Sequence, residues 1–236
     1  MPAPSVFHEV LCAVFQVREH QVGEPPALSV LLWQRAFDPQ AGSWSLPGGS
    51  LQDNEDLKSS ALRQLAEKVD LRQVAHLEQL SVFSEPDRIP GPRVIASSYL
   101  GMVPSDSQPN LPPDTRWHPV SDLPEISFDH RKIVERARLR LAAKLSYTNI
   151  AFALAPAEFS MSALSDIYCA ALGYPVDSTN LLRILSRRGV ITATGTVGRT
   201  GPSGGRPTAL YRFADKQLRI TDEFATLRPP SDPLTS

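Results

Sequence analysis

One segment, residues 49–71, constrains the fold of this 236-residue chain more than any other feature. It begins in a turn at Gly48-Gly49, which follows a short extended piece. The apolar residues after the turn recur at every fourth position: Leu57, Ala61, Leu65 and Val69. This spacing places them on one face of an α-helix. Asn54 is expected to cap that helix, with Glu55 and Asp56 in its first turn, where acidic side chains suit the helix dipole.

The charged residues of this segment follow a fixed spacing: Gly49, five residues, Glu55, seven residues, then Arg63-Gln64-Leu65-Ala66-Glu67-Lys68-Val69-Asp70. This spacing resembles the Nudix box, except that Asp70 stands where the box has a glycine. The lead-in Leu46-Pro47-Gly48-Gly49 and the later Phe128-Asp129-His130 are similar as well, so the resemblance covers about residues 8–135. It implies a Nudix-type domain in which Gly49, Glu55 and Arg63 are structural. The alternative is an amphipathic helix that merely follows a turn.

The chemistry of the box depends on one helix face, because positions 64, 67 and 68 are three and four residues apart. In Nudix hydrolases this face carries carboxylates that hold Mg²⁺ or Mn²⁺ against a diphosphate. Here the face reads Gln64, Glu67 and Lys68, and the lysine would repel a cation. We therefore expect a decayed hydrolase centre, with no catalytic residue, no metal site and no cofactor. The alternative keeps activity through carboxylates elsewhere, such as Glu78, Glu85 or Asp87.

A second segment bears on the ligand. Residues 83–95 are similar to the arginine-rich segment of ADP-ribose pyrophosphatases, although Ile89 stands where that family has an aspartate. The resemblance implies that Arg88 and Arg93 face a diphosphate, since guanidinium groups fork onto phosphate oxygens. With Glu67 and Lys68 they form the expected ligand-binding set. The alternative is a proline-stiffened loop with solvated arginines.

Charge is divided unevenly along the chain. Residues 1–124 contain nine Lys or Arg and 15 Asp or Glu, a net charge of −6, whereas residues 125–236 contain 15 and ten, a net charge of +5. A basic half favours a polyanionic partner such as nucleic acid, although a solvated basic face explains the charge equally well.

The basic half has helix signals of its own. Ser160 is expected to cap a helix that ends at Gly173, and Asp177 to cap a second that ends at Gly189. Two β-branched or aromatic strands follow, at 190–196 and 208–213. Two short helices followed by a hairpin predict a helix-turn-helix with a wing.

The predicted reader helix and wing carry short polar and basic side chains, which suit phosphates and base edges. The candidate DNA-binding residues are Ser178, Thr179, Asn180, Arg183, Arg187, Arg199 and Arg206. No acidic residue occurs between Ser178 and Ala214. A protein-interaction adaptor that uses the winged domain without DNA remains the alternative in a different class.

Further segments, among them Phe152-Ala153-Leu154, Gly205-Arg206-Pro207 and Leu210-Tyr211-Arg212-Phe213, resemble the Nudix-related transcriptional regulators of NAD metabolism, the NrtR type. The resemblance implies a homodimeric repressor of NAD biosynthesis or salvage genes. It binds a palindromic operator in double-stranded DNA and responds to ADP-ribose or a related nucleotide. An active ADP-ribose pyrophosphatase with a DNA-binding appendage is the alternative.

The sequence thus predicts an α+β protein with a Nudix-type α/β/α sandwich at 1–148, a winged helix-turn-helix domain at 149–222 and a disordered tail at 223–236. No apolar run approaches the roughly 20 residues that span a bilayer, and we see no signal peptide. Cys12 and Cys169 are too few for a disulfide framework. We expect a cytoplasmic protein with no membrane partner.

Overall fold

The computed structural model describes residues 6–198 and 208–223. The chain divides into two compact units, one formed by Met1–Arg140 with Ala153–Pro156 and the other by Leu141–Phe152 with Ala157–Ser236. The division falls within a long helix, N-terminal to the boundary at 148 that the sequence suggests. The expected tail, from residue 224 onward, lies outside the described residues.

The first unit is built on one mixed sheet. Its strands are β1 (Phe7–Arg18), β2 (Ala27–Gln34), β3 (Trp44–Ser45), β4 (Gly48–Ser50), β5 (His76–Phe83), β6 (Val94–Met102) and β7 (Thr115–Pro119). The order is β3-β2-β1-β6-β5, with β4 also paired to β1 and β7 to β2. Only β1 and β6 run parallel; the other pairs are antiparallel. Strand β1 therefore lies at the centre of the unit.

Both faces of β1 are buried, as in a sheet covered on both sides. On one face, helix α1 (Leu57–Val69) packs through its apolar stripe onto alternate residues of β1. This cluster contains Val10, Cys12, Val14, Ala61, Leu65 and Val69. The intervening β1 residues, Leu11, Ala13, Phe15 and Val17, are also buried. The predicted stripe is confirmed, and the packing fixes which face of α1 points away from the sheet.

The predicted start of α1 is wrong by two residues. Asp56, rather than Asn54, is the N-cap, and its carboxylate accepts a hydrogen bond of 2.7 Å from the backbone amide of Ser59. The first turn contains no acidic residue. Glu55 lies before the helix and bonds Arg63. Asn54 and Asp56 are both good caps, so capping preference alone does not decide between them.

The second unit holds the remaining elements. Helix α2 (His130–Tyr147) contributes residues to both units and is followed by a 3₁₀ helix, Ile150–Ala153. Then come α3 (Met161–Leu172), α4 (Ser178–Arg187), β8 (Ile191–Val197) and β9 (Ala209–Phe213). The caps predicted at Ser160 and Asp177 are confirmed, as is the left-handed Gly173 after α3. None of the helices among the described residues is both long and apolar enough to cross a membrane.

The second unit has its own core. Its buried side chains come from α3, α4 and the hairpin: Leu164, Ile167, Tyr168, Ala171, Leu181, Leu185, Ile191 and Phe213. Phe159 pairs with Tyr211 of β9 through an isolated bridge, and its ring lies 5.2 Å from that of Phe213. Two helices, a short turn and a β-hairpin make this unit a winged helix-turn-helix.

Candidate functional site

The loop before α1 is tied to the helix by one forked ion pair. Arg63 donates from Nε to Glu55 Oε2 at 2.8 Å and from Nη2 to Glu55 Oε1 at 2.6 Å. Glu55 Oε1 also accepts from the backbone amide of Gln52. The hydrogen bond from Arg63 lowers the pKa of Glu55 to about 2. This pair leaves Glu55 without the freedom to act on a ligand.

Close contacts lie beside both glycines of the turn, with backbone at Gly48 and with the end of the Gln64 side chain at Gly49. A Cβ on Gly48 would lie 2.3 Å from the carbonyl oxygen of Val10, and one on Gly49 would lie 2.7 Å from Nε2 of Gln64. Gln64 is only 4% exposed. In the orientation that satisfies both amide atoms, it donates to the Gly48 carbonyl at 3.2 Å and accepts from Arg63 at 3.3 Å. Gln64 therefore joins helix to turn and faces away from any ligand.

The other two residues of the candidate face are placed differently. Glu67 has a 61% exposed side chain and pairs with Arg63 at 3.1 Å. Lys68 is half-buried, and its Nζ lies 4.5 Å from the ring centroid of Trp33. Burial lowers the pKa of Lys68, and the charge of Arg35 lowers it further. The face thus offers one exposed carboxylate beside an ammonium group.

This donor set does not fit the divalent cation of Nudix hydrolases, which requires several oxygen ligands. Within residues 6–198 and 208–223, no three His, Cys, Asp or Glu side chains form a group that could hold a metal ion. Of the alternative carboxylates, Glu78 contacts His76 and Arg140, at 2.9 and 3.7 Å. Glu85 and Asp87 are exposed on the loop between β5 and β6.

The Arg88 side chain is buried, which does not fit its expected role of facing a diphosphate. Its side chain is 1% exposed and lies between two carboxylates. Nε and Nη2 donate to Asp129 at 2.9 and 2.7 Å, and Nη1 donates to Glu9. A buried guanidinium needs such partners to offset desolvation, so Arg88 cannot also fork onto a diphosphate. Arg93 is exposed and donates to the carbonyl of Ser84 at 3.1 Å.

The segment before α2 completes this buried network. Asp129 holds Arg88, while His130 Nδ1 accepts from the backbone amide of Leu46 at 3.2 Å. Burial lowers the pKa of His130 to about 3, so the ring is neutral at physiological pH. The similarity of Phe128-Asp129-His130 to Nudix proteins thus has a structural basis in these two contacts.

Two residues near Lys68, Trp33 and Arg35, were not singled out from the sequence. Trp33 lies at the end of β2 and Arg35 one residue beyond it, a spacing of two that points side chains to the same side of an extended chain. The Arg35 guanidinium lies 4.9 Å from the ring centroid of Phe128. The sequence signal for this pair was an aromatic and a basic residue two positions apart at the end of a strand. The ring partner of Arg35, Phe128, is too distant in sequence to be predicted from spacing.

In the second unit, α4 separates its apolar and polar faces. Leu181 and Leu185 are buried, whereas Thr179, Asn180, Arg183 and Arg187 are exposed and Ser178 is half-buried. Arg183 Nη2 donates to Asn180 Oδ1 at 2.7 Å. Four of the candidate DNA-binding residues, Thr179, Asn180, Arg183 and Arg187, therefore share the exposed face, and Ser178 lies at the start of the helix. The other two, Arg199 and Arg206, lie outside the described residues.

The turn that positions α4 is held by two side chains of α3. Cys169 Sγ accepts from the backbone amide of Val176 at 3.1 Å, and Ser165 donates to the Val176 carbonyl. Asp177 then caps α4 by accepting from the amide of Asn180 at 2.6 Å. At the other end, Arg188 pairs with Asp222. Both ends of the exposed helix are therefore fixed from within its own unit.

Known proteins resemble the chain along most of its length. A NUDIX domain matches residues 9–137, and an NrtR DNA-binding winged helix domain matches residues 151–213. The ADPR responsive transcriptional repressor NtrR of Acinetobacter baylyi is 29% identical over 218 residues, which are 89% of this chain and 83% of that protein. An ADP-ribose pyrophosphatase of Methanocaldococcus jannaschii is 29% identical over 112 residues, 45% of this chain and 63% of that protein.

Among solved structures, that of Shewanella oneidensis NrtR complexed with a 27mer DNA has a TM-score of 0.72 and 28% sequence identity. The match covers 87% of this chain and 92% of that chain. The two domain matches agree with the two sets of elements described above, and the NUDIX match covers more than half of the sequence. The chain belongs to the NUDIX family, and its C-terminal domain is a winged helix of the NrtR type.

Proposed function

We propose that this protein is a DNA-binding transcriptional repressor of NAD biosynthesis or salvage genes, released from its operator by ADP-ribose or a related nucleotide. The observation that carries the proposal is the exposed face of α4, whose polar and basic side chains have no acidic residue among them. A helix of this kind suits the major groove and the phosphates beside it. The repressor of A. baylyi and the DNA-bound NrtR of S. oneidensis support the same assignment.

The DNA contacts are assigned to Ser178, Thr179, Asn180, Arg183 and Arg187 of α4, with Arg199 and Arg206 in the wing segment. The functional domains are taken as 1–148 for ligand sensing and 149–222 for DNA. We assign a homodimer, because one winged helix reads a short site and a two-fold pair reads a palindrome. The cytoplasm, where bacterial genes are transcribed, is the proposed compartment.

The first domain is proposed to bind its nucleotide without hydrolysing it. Gln64 and Lys68 stand at two of the three carboxylate positions, and the third, Glu67, is paired with Arg63. One carboxylate next to an ammonium group cannot hold a hard dication against a diphosphate. A sensor that leaves its ligand intact also preserves the signal that it reports.

The second candidate is an active ADP-ribose pyrophosphatase that carries a DNA-binding appendage. The similarity to the enzyme of M. jannaschii, which extends over 45% of this chain, favours it. The two candidates differ in whether AMP is produced from ADP-ribose.

A single pair of assays separates them. A mobility-shift experiment uses DNA from upstream of NAD genes, with and without ADP-ribose, and AMP release is followed at excess Mg²⁺ or Mn²⁺. The repressor is expected to bind this DNA, to leave it when ADP-ribose is added and to release no AMP. Rapid metal-dependent AMP release without operator binding would replace the first candidate with the second.

A further inference from the structure

Lys68 and Arg35, both half-buried, are not among the basic residues of the first unit that pair with a carboxylate within residues 6–198 and 208–223. Lys68 makes no salt bridge there and lies over the ring of Trp33. Arg35 lies over the ring of Phe128, and its Nε donates to the carbonyl oxygen of Pro39 at 3.0 Å. Arg35 follows Trp33 by two residues in an extended stretch of chain, so its side chain points to the same side as Trp33, over whose ring Lys68 lies. The charge of Arg35 also lowers the pKa of Lys68. Two half-buried cations therefore lie near the same aromatic residue.

The nearby carboxylates are already engaged elsewhere. Glu9 bonds Arg88, and Glu67 pairs with Arg63. Both carboxylates act on Lys68 only at longer range, as weaker influences on its pKa than burial and Arg35. Desolvating an ammonium group without a counter-ion is unfavourable. Binding an anion from solution would supply the missing counter-charge and offset this cost.

The backbone holds Arg35 in place. Its amide donates to the carbonyl of Ser43 at 3.0 Å, and its carbonyl accepts from the amide of Gly42 at 2.8 Å. Lys68 lies in the last turn of α1, whose apolar stripe is locked into the sheet. Lys68 therefore projects from a packed helix and Arg35 from hydrogen-bonded backbone directly after β2, which lowers the entropy lost when they bind a ligand.

We infer that Lys68 and Arg35 form an anion site that takes the diphosphate of ADP-ribose in place of a divalent metal ion. The inference rests on the proposed function, in which ADP-ribose is the ligand. Lys68 acts as a compact point charge, and Arg35 as a planar donor that can reach two phosphoryl oxygens. No bond to phosphorus forms or breaks, because the site neutralises the diphosphate without activating water. Arg35 thereby takes the supporting place expected for Arg88 or Arg93.

The test is calorimetric titration of the full-length protein with ADP-ribose, in EDTA and in Mg²⁺. Lys68→Met keeps the aliphatic stem over Trp33 and removes the charge, while Arg35→Gln removes the guanidinium. Each is expected to weaken binding about 10- to 100-fold, as for a lost charge-assisted hydrogen bond. Lys68→Arg is expected to retain most of the affinity. Lys58→Met, an exposed lysine of the same helix, and Arg72→Gln, a 76% exposed arginine, serve as matched controls without effect.

The wild-type protein is expected to bind equally well in EDTA and in Mg²⁺. Binding that requires Mg²⁺, or that survives unchanged in Lys68→Met and Arg35→Gln, overturns the anion site and leaves the proposed function standing. A wild-type protein that binds no ADP-ribose under either condition overturns both. Melting temperatures of the variants show whether the fold is intact, so that a loss of affinity is assigned to the site and not to unfolding.

Discussion

Helices α1 and α4 begin with the same kind of cap, but the arginine of α1 is paired with carboxylates whereas the arginines of α4 are exposed to solvent. Each is capped by an aspartate, Asp56 or Asp177, whose carboxylate accepts from a backbone amide three residues on. In α1, Arg63 forms salt bridges with Glu55 and Glu67 of the same unit. In α4, the arginines at 183 and 187 face solvent with no carboxylate against them among the described residues. Paired charge holds a fold together, whereas exposed charge of one sign is available to a partner.

The largest expected effect tests the paired side of this comparison. Arg88→Met leaves Glu9 and Asp129 as uncompensated carboxylates around a 1% exposed position. Breaking a buried pair in this way lowers the free energy of unfolding by about 3–5 kcal/mol. Urea denaturation measures the loss, and Arg93→Met, at an exposed arginine of the same loop, is the control with little change. A stable Arg88→Met variant that fails only in ADP-ribose binding would return Arg88 to the ligand-binding set.

The next effect tests the exposed side. Arg187→Ala is expected to weaken operator binding by about 1–3 kcal/mol without lowering the melting temperature. If the arginine contacts a phosphate, the loss of affinity is similar for all DNA sequences. The slope of log affinity against log salt concentration then becomes shallower by about one. Fluorescence anisotropy at several salt concentrations measures both. Arg72→Ala, at an exposed arginine of the first unit, should bind as the wild type does. Unchanged affinity in Arg187→Ala would contradict the assignment of α4 as the reader.

The two caps allow a direct comparison at a smaller scale. Asp56→Ala and Asp177→Ala each remove one cap hydrogen bond, which lowers stability by about 1 kcal/mol. Only Asp177→Ala is expected to weaken DNA binding as well, because the first turn of α4 carries Thr179 and Asn180. Thermal unfolding and anisotropy are measured on the same samples. Equal DNA affinity in the two variants would show that the first turn of α4 makes no contact.

The smallest effect concerns pH. The pKa of Glu55 is lowered from 4.5 to about 2 by Arg63, so its ion pair stabilises the native state above pH 4.5. That stabilisation is lost as the pH falls from 4.5 toward 2, because the carboxylate must then be protonated. Glu55→Gln should flatten the melting temperature across this window relative to the wild type. Glu85→Gln, at an exposed glutamate, is the control. Parallel pH profiles for wild type and Glu55→Gln would show that the pair contributes nothing.

Local signals in the sequence were sufficient for most elements. The stripe of α1 and the caps of α3 and α4 depend on neighbours within a few residues, and all are confirmed. The role of Arg88 could not be read in this way, because its partners Glu9 and Asp129 are 79 and 41 residues away. The same holds for Arg35, whose ring partner Phe128 is brought near only by the fold. The cap of α1 was misplaced by two residues because Asn54 and Asp56 are both good caps, and capping preference alone does not decide between them.

The end of α1 accounts for one departure from the Nudix pattern. Asp70, which replaces the box glycine, adopts a left-handed conformation with φ of 48°, and its backbone amide donates to the carbonyl of Leu65. Glycine takes this conformation without cost, and aspartate is among the few other residues that tolerate it. The position therefore has a backbone conformation that suits the box glycine, although its side chain is an aspartate.

The residues at 64 and 68 also have a consequence in the genetic code. Glutamine and lysine codons each differ from a glutamate codon by a single base. Two base changes would therefore place glutamates at both 64 and 68, as on the carboxylate face of a Nudix hydrolase. Gln64, however, donates to the Gly48 carbonyl, and a glutamate carboxylate there would instead point an acceptor at an acceptor. A glutamate at 64 would thus disturb the turn that Gln64 joins, whereas a glutamate at 68 would only remove a cation. The buried amide therefore makes the full carboxylate pattern harder to reach than codon distance alone suggests.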